Sequence, residues 1–278
     1  MLRKERALMK KILPAFVLAI SILLLTGCGN VQNRADVIVC QDEQGSYYAT
    51  SSDGKTFLFY YPGNAAESFT VPDGIEIVAE DAFAYIPNLK ELSFASSVQF
   101  IHTGAFSANF DTIKLEKLTI PASVQNYKNS RFEFHGPYLK ELIIECEIGD
   151  SLHLADCKSL NKLTLATVPK ELNWYSFYCN MNLTSIVVIG QESIRDEAFE
   201  AYCASKNDYP VLYIPDGVEV LENELIYSCV NLYVPDSVKT VSEWLYYKID
   251  GDVIVSISPN TEISGSGVLQ RVAETVVR

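Results

Sequence analysis

Three residues that follow one another at similar intervals along the chain are of the types that form the active site of cysteine-dependent enzymes: His135, Cys157 and Asn180. If each interval is one turn of a stacked structure, neighbouring turns lie roughly 5 Å apart, within reach for an imidazole to activate a thiol. The shared position, however, is a turn position that normally faces the interior, where a thiol is inert. The spacing therefore permits a Cys-His-Asn site, but the position favours packed side chains, and we assign no catalytic residue.

The other residues with reactive side chains form no recognisable site. His102 and His153 stand at other positions within the repeated interval than His135, and neither has the spacing of a metal ligand with nearby residues. The sequence contains no glycine-rich phosphate loop, nucleophile elbow or calcium loop. We therefore expect no metal, no cofactor and no enzymatic activity.

A short sequence unit recurs and predicts the fold. The stretch "VPDGIEIVAEDAF" from Val71 returns as "IPDGVEVLENELI" from Ile214 and "VPDSVKTVSEWLY" from Val234. Each unit closes on an anchor residue, at intervals of 20 to 27 residues: Phe83, Phe106, Phe132, Leu154, Phe177, Phe199, Ile226 and Tyr246. Five residues before each anchor stands an apolar residue such as Ile194, with Gly149 the exception.

A strand-like run follows each anchor. Runs such as "LKELSF" and "LEKLTIP" alternate Leu-x-Leu, which is the period of a strand, and Pro121, Pro215 and Pro235 end three of them. One unit is too short to bury its apolar face alone, so the units must stack on one another. The repeats therefore predict a solenoid with a parallel sheet on one face.

The pattern "IPDxVxxIxxxAFxxCxxLxxLxI" resembles the BspA-type bacterial surface leucine-rich repeat, from about Phe57 to Ile257. The resemblance weakens in the middle, where Leu154 replaces the Phe and Arg131 the Ala. It implies an α/β-type, right-handed leucine-rich-repeat solenoid of about eight coils, with a parallel sheet on one face and short helical turns on the other. It also implies a non-enzymatic cell-surface recognition or adhesion module that binds a protein or other surface macromolecule through its sheet face and loops.

Two alternative functions stay open at this point. One is an envelope structural lipoprotein that binds cell-wall or membrane components, and the other is an enzyme that uses the turn-position His and Cys. The family pattern also places cysteine near the position of Cys157, Cys179, Cys203 and Cys229, as a small apolar filler of the turn. The resemblance therefore implies buried free thiols there, while the state of Cys40 and Cys146 is undecided.

The first residues predict export and a lipid anchor. A basic start is followed by an apolar run from Ile12 to Leu25 that is too short to span a bilayer but suits a signal peptide. The run ends in "LTGC", which resembles the lipobox of bacterial lipoproteins. This resemblance implies cleavage after Gly27 and lipidation of Cys28, so that the chain is anchored to the outer face of a bacterial cell membrane without spanning it.

We divide the chain into five segments. These are residues 1–27, a lipoprotein signal peptide; 28–36, the lipidated cysteine and a tether; 37–68, an N-terminal hairpin cap and entry half-repeat; 69–258, the repeats; and 259–278, a C-terminal cap or tail. The hairpin is predicted with its turn at Asp53 and Gly54, and it would cover the first sheet edge. The sequence does not choose between a cap and a mobile tail for the last segment.

The charge excludes one class of partner. The 278 residues have a formal net charge of −13, and without Met1 to Gly27 the remaining 17 basic and 34 acidic residues give about −17. Nucleic acid binding needs Lys and Arg to neutralise phosphates, so nucleic acid is not expected as a partner.

The outward positions of the predicted strands form two rows that change character along the sheet. The first row is Glu91, Lys117, Glu141, Lys162, Ser185, Val211 and Asn231, and the second is Ser93, Thr119, Ile143, Thr164, Val187, Tyr213 and Tyr233. The alternating charges at the start favour cross-strand ion pairs that keep the register. Val187, Val211, Tyr213 and Tyr233 would form an apolar, aromatic patch, which is either a partner-binding surface or the seat of the folded-back C-terminal segment.

Overall fold

The computed structural model describes residues 38–41, 46–50, 54–61, 66–84, 86–106, 114–129, 132–149, 152–247 and 252–278. The predicted signal peptide 1–27, the lipidation site Cys28, Asp53 of the predicted turn and the degenerate position Arg131 lie outside these residues. In chain order the strands are β1 (Ile38–Gln41), β2 (Tyr47–Thr50), β3 (Thr56–Tyr60), β4 (Ser68–Val71), β5 (Ile77–Val78), β6 (Glu91–Phe94), β7 (Phe100–Ile101), β8 (Lys117–Ile120), β9 (Phe132–His135), β10 (Glu141–Ile144), β11 (Leu152–Ala155), β12 (Lys162–Leu165), β13 (Glu171–Leu172), β14 (Ser185–Val188), β15 (Val211–Tyr213), β16 (Val220–Leu221), β17 (Asn231–Tyr233), β18 (Thr240–Val241), β19 (Ile254–Ile257), β20 (Glu262–Ile263) and β21 (Glu274–Val277). A 3-10 helix spans Asn126–Asn129, and one α-helix, α1, spans Glu197–Ala204.

The chain winds into a parallel β-solenoid of about nine turns with little helix, so the predicted repeat fold is confirmed. Most turns contribute one longer strand to one side and one short strand to the other. The longer strands form a six-stranded sheet, in the order β14-β12-β10-β8-β6-β4, and a four-stranded sheet, β15-β17-β19-β21. We call the outward side of these two sheets the sheet face.

The other side of the solenoid consists mainly of short strands and turns rather than the helical turns that the resemblance implied. There β5 and β7 extend the N-terminal strands, β9 pairs with β11, and β13, β16, β18 and β20 follow one another. Several of these strands have only two residues, such as Ile77 and Val78. Their β-branched residues favour extended backbone, and the short segment between turns leaves no room for a helix.

A continuous apolar core fills the space between the longer strands and the short strands. In the longer strands β4, β6, β8, β10 and β12 every second residue points inward and is buried, as at Leu92, Leu118, Leu142 and Leu163. Each coil covers the next with these residues, so the core extends without interruption from Tyr48 to Leu269. This arrangement is what a repeat too short to fold alone requires.

The anchor at Phe132 is wrong by two residues. β9 and β11 pair Phe132 with Leu152 and Phe134 with Leu154, so Phe134 is the residue equivalent to the Leu154 anchor. The ring of Phe134 lies 5.5 Å from that of Phe106, whereas Phe132 packs on Tyr127 at 5.0 Å. Both phenylalanines face the core because side chains of a strand alternate with period two, so the sequence did not distinguish them.

The anchor at Phe199 is also wrong, because its segment leaves the stack. β13 pairs directly with β16, which places Leu172 beside Leu221. The stretch that contains Ile194 and Phe199 therefore contributes no strand to the short-strand side. That stretch contains α1 instead. The later anchors are confirmed, since Ile226 and Tyr246 form a parallel bridge.

Both ends of the described chain add strands to the solenoid. β2 and β3 are antiparallel, and β3 then pairs in parallel with β5, so the N-terminal hairpin covers the edge of the short-strand side. At the other end β20 pairs with β18 and β21 with β19. Residues 259–278 therefore form a further coil that continues both sides.

Candidate functional site

The sheet face of the first six longer strands carries the predicted charged row. The pairing register places Glu91, Lys117, Glu141, Lys162 and Ser185 side by side, which confirms the row. The Glu141 carboxylate accepts from Lys162 Nζ and from Lys117 Nζ, each at 2.9 Å. Hydrogen bonds from Lys162 and then Lys117 lower the pKa of Glu141. Glu141 and its two lysine neighbours thus pair with one another on this part of the face.

The sheet face of the last four longer strands is covered by α1. Tyr213 and Tyr233 are neighbours, as predicted, with ring centroids 5.2 Å apart. The ring of Phe199 in α1 lies 5.8 Å from that of Tyr233, and Phe199, Cys203 and Ile254 form a buried apolar cluster against which Val211 and Tyr233 pack. The end of the sheet face that carries Val211 and Tyr233 is therefore largely an internal interface between helix and sheet.

The cover differs from the one that the sequence suggested. Residues 259–278 do not fold back over the tyrosines; they extend the sheet as β21 and contribute to its edge. From that position the Arg278 guanidinium lies 4.1 Å from the Tyr233 ring and donates to Asp236 Oδ1 at 2.9 Å. The helix and the last strand therefore enclose the tyrosine rings from different directions.

Local sequence explains why the chain forms α1 here. Asp196 is the N-cap, and its side chain accepts from the Phe199 backbone N–H at 2.9 Å. Glu197 and Glu200 lie in the first turn, where negative charge stabilises a helix, and Arg195 binds Glu200 through two nitrogens at 3.1 and 2.9 Å. The capping aspartate and alanine-rich "EAFEAYCA" were the available signal, but the same letters also fit the repeat pattern.

The segment after α1 is attached to the sheet by two asparagines. Asn207 Nδ2 donates to Asn231 Oδ1 at 3.1 Å, and Asn231 Nδ2 donates to Asn207 Oδ1 at 2.9 Å. Asn231 is fully buried, and its Oδ1 also accepts from the Ile254 backbone N–H at 2.9 Å. A buried amide with these partners fixes where the excursion rejoins the solenoid.

A groove opens on the sheet face where the two longer-strand sheets meet. β15 pairs with β17 but not with β14, so the sheet is interrupted at this point. The groove contains the predicted residues Val187, Tyr213 and Tyr233, whereas Val211 packs against α1. We call it the junction groove; its lining includes Ser185, Val187, Gln191, Glu192, Ile194, Tyr213, Asp216, Tyr233, Asp236 and Arg278.

The junction groove combines an apolar floor with an acidic rim. Val187, Ile194 and the tyrosine rings supply apolar surface, while Glu192, Asp216 and Asp236 are exposed. The sequence reasoning missed the rim, because it considered only outward strand positions. The repeated "PD" after the longer strands was a usable signal, since it places Asp216 and Asp236 at equivalent positions of successive coils.

The Cys-His-Asn arrangement is not assembled. The Leu139 backbone N–H donates to the Gly136 carbonyl, and in the next coil the Leu160 backbone N–H donates to the Cys157 carbonyl. Cys157 is therefore equivalent to Gly136 and not to His135. His135 Nε2 instead lies 3.2 Å from Glu133 Oε1. Cys157 is fully buried, and burial raises the pKa of its thiol to about 12, which leaves no thiolate for nucleophilic attack near neutral pH.

The remaining cysteines divide by exposure. Cys146 and Cys203 are buried free thiols, Cys179 is half-buried, and Cys229 is exposed, so the expectation of buried fillers is wrong for Cys229. In the described part of the chain no group of His, Cys, Asp and Glu side chains could hold a metal ion. None of the described helices is long and apolar enough to cross a membrane.

Comparison with known proteins identifies the repeat. The family described as "BspA type Leucine rich repeat region" matches residues 55–150 and 134–251, with six copies. A comparison with curated proteins found no match.

Two solved structures are similar to this chain. A leucine-rich cell surface protein from Faecalibacterium prausnitzii A2-165 is 16% identical, with a TM-score of 0.29, over 81% of this chain and 50% of that one. The pneumococcal vaccine antigen PcpA is 16% identical, with a TM-score of 0.24, over 76% of this chain and 68% of that one. The match thus spans half the length of the first of these proteins. With the family pattern matched over most of its length, the chain belongs to the BspA-type leucine-rich repeat family.

Proposed function

We propose that this chain is a non-enzymatic cell-surface recognition or adhesion module that binds a macromolecular partner through the junction groove. The observation that carries the proposal is the groove itself, at the interruption between β14 and β15. Elsewhere the sheet face is occupied by its own ion pairs, as around Glu141, or by α1. At the junction, apolar and charged side chains line a shared depression, a combination typical of contact surfaces.

The chemistry of the groove favours a polypeptide partner. Val187, Ile194 and Tyr213 offer apolar area, and a tyrosine ring contributes contact surface at low conformational cost. The exposed carboxylates of Glu192 and Asp216 at the rim add charge that selects a partner and speeds its approach. A folded surface domain or an extended segment of a host or bacterial protein would satisfy both.

The test is a comparison of two matched glutamate substitutions on the sheet face. Val187→Glu places a charge in the groove, whereas Thr119→Glu places the same charge three strands away, at an equivalent outward position in β8. Binding to immobilised host extracellular-matrix proteins and to bacterial envelope extract is measured by surface plasmon resonance. We expect Val187→Glu to weaken binding at least tenfold and Thr119→Glu to leave it within twofold.

Two results would overturn this assignment. Equal binding by both folded variants would move the partner site away from the junction groove. Binding to envelope extract alone would favour the structural alternative, a lipoprotein that holds cell-wall or membrane components, over adhesion. Circular dichroism of each variant shows that the fold is retained in the comparison.

The lipid anchor is part of the same proposal. It is supported by the basic start, the apolar run from Ile12 to Leu25 and the "LTGC" that ends at Cys28. Such an anchor holds an exported solenoid on the outer face of a bacterial cell membrane. The test is metabolic labelling with a radioactive fatty acid: Cys28→Ser should remove the label and leave an uncleaved precursor, and equal labelling of both proteins would exclude lipidation at this residue.

A further inference from the structure

A second surface carries exposed aromatic side chains on the short-strand side of the solenoid. Trp174 and Tyr175, in the turn after β13, are 37% and 45% exposed, and Trp244, in the turn after β18, is 44% exposed. We call the following set the aromatic patch: Trp174, Tyr175, Tyr178, Tyr227, Trp244 and Tyr247. It lies beyond the short strands, whereas the junction groove lies beyond the longer ones, so the two surfaces use different segments of the coil.

The rings of the patch are brought together by the excursion of α1. Because β13 pairs directly with β16, residues 178 and 227 come to occupy adjacent turns although a whole repeat separates them in sequence. The Tyr178 and Tyr227 rings lie 5.6 Å apart, and Tyr227 stacks on Tyr247 at 4.6 Å. Trp174 extends the cluster, 3.7 Å from Tyr175 and 5.6 Å from Tyr178.

One exposed carboxylate, that of Glu224, lies within this aromatic surface. Tyr175, Glu224 and Trp244 each stand three residues beyond the paired positions of β13, β16 and β18, so Glu224 lies between an exposed Tyr and an exposed Trp. Its backbone N–H donates to the Trp244 carbonyl at 2.7 Å, and its φ of 52° is left-handed. Within the described ranges the Glu224 carboxylate makes no ion pair.

A buried hydroxyl in the patch is also unsatisfied. Tyr227 is only 8% exposed, and among the described residues its hydroxyl oxygen has no hydrogen-bond partner. Leaving such a group unpaired costs free energy. Nearby, burial and then the charge of Glu171 raise the pKa of Glu222. Glu171, Glu222 and Glu224 thus place three carboxyl groups in and just beyond the short strands that lead to the rings.

The chain already binds arginine with the same combination of groups. Arg278 lies 4.1 Å from the Tyr233 ring while it pairs with Asp236, and Arg271 lies 5.5 Å from the Trp244 ring. A guanidinium over an aromatic ring is attracted by the ring's negative face, and a carboxylate beside it adds a charge-assisted hydrogen bond. The Tyr175 ring is stacked on the His153 imidazole at 5.1 Å, so the ring that remains for a guanidinium is that of Trp174. Beside Trp174 and Glu224 the described residues place no guanidinium.

We propose that the aromatic patch binds an arginine-bearing segment of another polypeptide, whose guanidinium stacks on Trp174 and pairs with Glu224. Charge complementarity selects this occupant, because the chain has a formal net charge of −13 and Glu224, which makes no ion pair with any described residue, lies beside exposed rings. Arginine satisfies the site better than lysine, since its planar fork both stacks and donates several hydrogen bonds. The site is separate from the junction groove and does not depend on the function proposed for it.

The experiment uses the full chain and a synthetic glycine-serine peptide that contains two arginines. The matched probe is the same peptide with citrulline, which keeps the shape but not the charge, at both positions. Binding is followed by isothermal titration calorimetry and by fluorescence of the two tryptophans. We expect the arginine peptide to bind at least tenfold more tightly than the citrulline peptide, and a lysine peptide to bind with intermediate affinity.

Surface variants separate the site from bulk charge. Trp174→Ala and Glu224→Gln should each weaken arginine-peptide binding at least fivefold. The controls Tyr138→Ala and Glu262→Gln remove an exposed ring and an exposed carboxylate outside the patch, and each should change binding less than twofold. Equal affinity for the citrulline peptide, equal effects of Glu224→Gln and Glu262→Gln, or no binding at millimolar peptide would each overturn the proposal. Val187→Glu should retain peptide binding, so failure of the junction groove is distinguishable from failure of the patch.

Discussion

The Tyr213 hydroxyl lies 3.0 Å from Glu200 Oε1 and donates to it, which joins the sheet face at β15 to the first turn of α1. The same hydroxyl oxygen accepts from the Asp196 backbone N–H at 3.1 Å. A tyrosine at an outward strand position is therefore a docking point for the helix that follows the preceding strand. The contact makes this part of the sheet face an interface within the protein, while the Tyr213 ring also lines the junction groove.

The docking of α1 predicts a local response to loss of its cap. Asp196→Ala removes the side-chain acceptor of the Phe199 N–H, which should cost about 1 kcal/mol of helix stability. We expect faster amide hydrogen exchange over 197–204 with little change in the strands β4 to β14. The measurement is hydrogen exchange followed by mass spectrometry.

The matched control for this variant is Asp208→Ala, which removes an exposed aspartate after the helix. Its exchange over 197–204 should match the wild type. If Asp196→Ala left exchange in the helix unchanged, or if it loosened the whole solenoid equally, the cap would not be what holds α1 in place.

The stacked aromatic residues of the core predict a large effect at Phe106. Its ring lies 5.6 Å from that of Phe83 and 5.5 Å from that of Phe134, so Phe106→Ala removes contacts to two neighbouring coils. Truncating a buried Phe costs about 3 to 5 kcal/mol of unfolding free energy. Urea denaturation should show a markedly lower midpoint, whereas Ser93→Ala, which removes only a hydroxyl paired with Thr70 on the sheet face, should cost about 1 kcal/mol or less. Comparable shifts for both would contradict the stacking.

The cysteines should differ in reactivity according to burial. Cys229 is exposed and should react first with iodoacetamide, and Cys179 should follow more slowly. Cys157 and Cys203 should react only after denaturation, because both are buried and burial raises the pKa of their thiols to about 12 and about 11. Peptide mapping by mass spectrometry measures each site, and rapid modification of Cys157 in the folded protein would reopen the enzymatic alternative.

The Glu141 ion pairs predict a dependence of stability on pH. Lys162 and Lys117 hold the pKa of Glu141 below its ordinary value, so its contribution is present above the unfolded pKa and is lost as pH falls through the folded pKa. Glu141→Gln should lower the unfolding free energy at pH 7 by about 1 kcal/mol or less, and the difference from wild type should shrink as pH falls through the lowered pKa of Glu141. Denaturation curves over a series of acidic pH values test this, with Glu262→Gln as control. A difference that did not shrink with falling pH would assign the effect to packing.

The sequence by itself determined the repeat, and with it most of the solenoid. Alternation at positions such as Leu92 and Leu118 is local information, and a unit that cannot bury its own apolar face has to stack on its neighbours. The charged row from Glu91 to Lys162 followed at once, because stacking in register places equivalent residues side by side. Family membership rests on the same repeated letters.

Only the tertiary structure decided where the repeat stops being a coil. "DEAFEAYCA" fits both the repeat pattern and a capped helix, and the helix forms because Phe199 and Cys203 find Ile254 and Tyr233 on strands far along the chain. The choice between Phe132 and Phe134 was likewise made by the register with β11, since both face the core. The junction groove and the aromatic patch exist because α1 takes its segment out of the stack, and no local pattern encodes which distant residues then become neighbours.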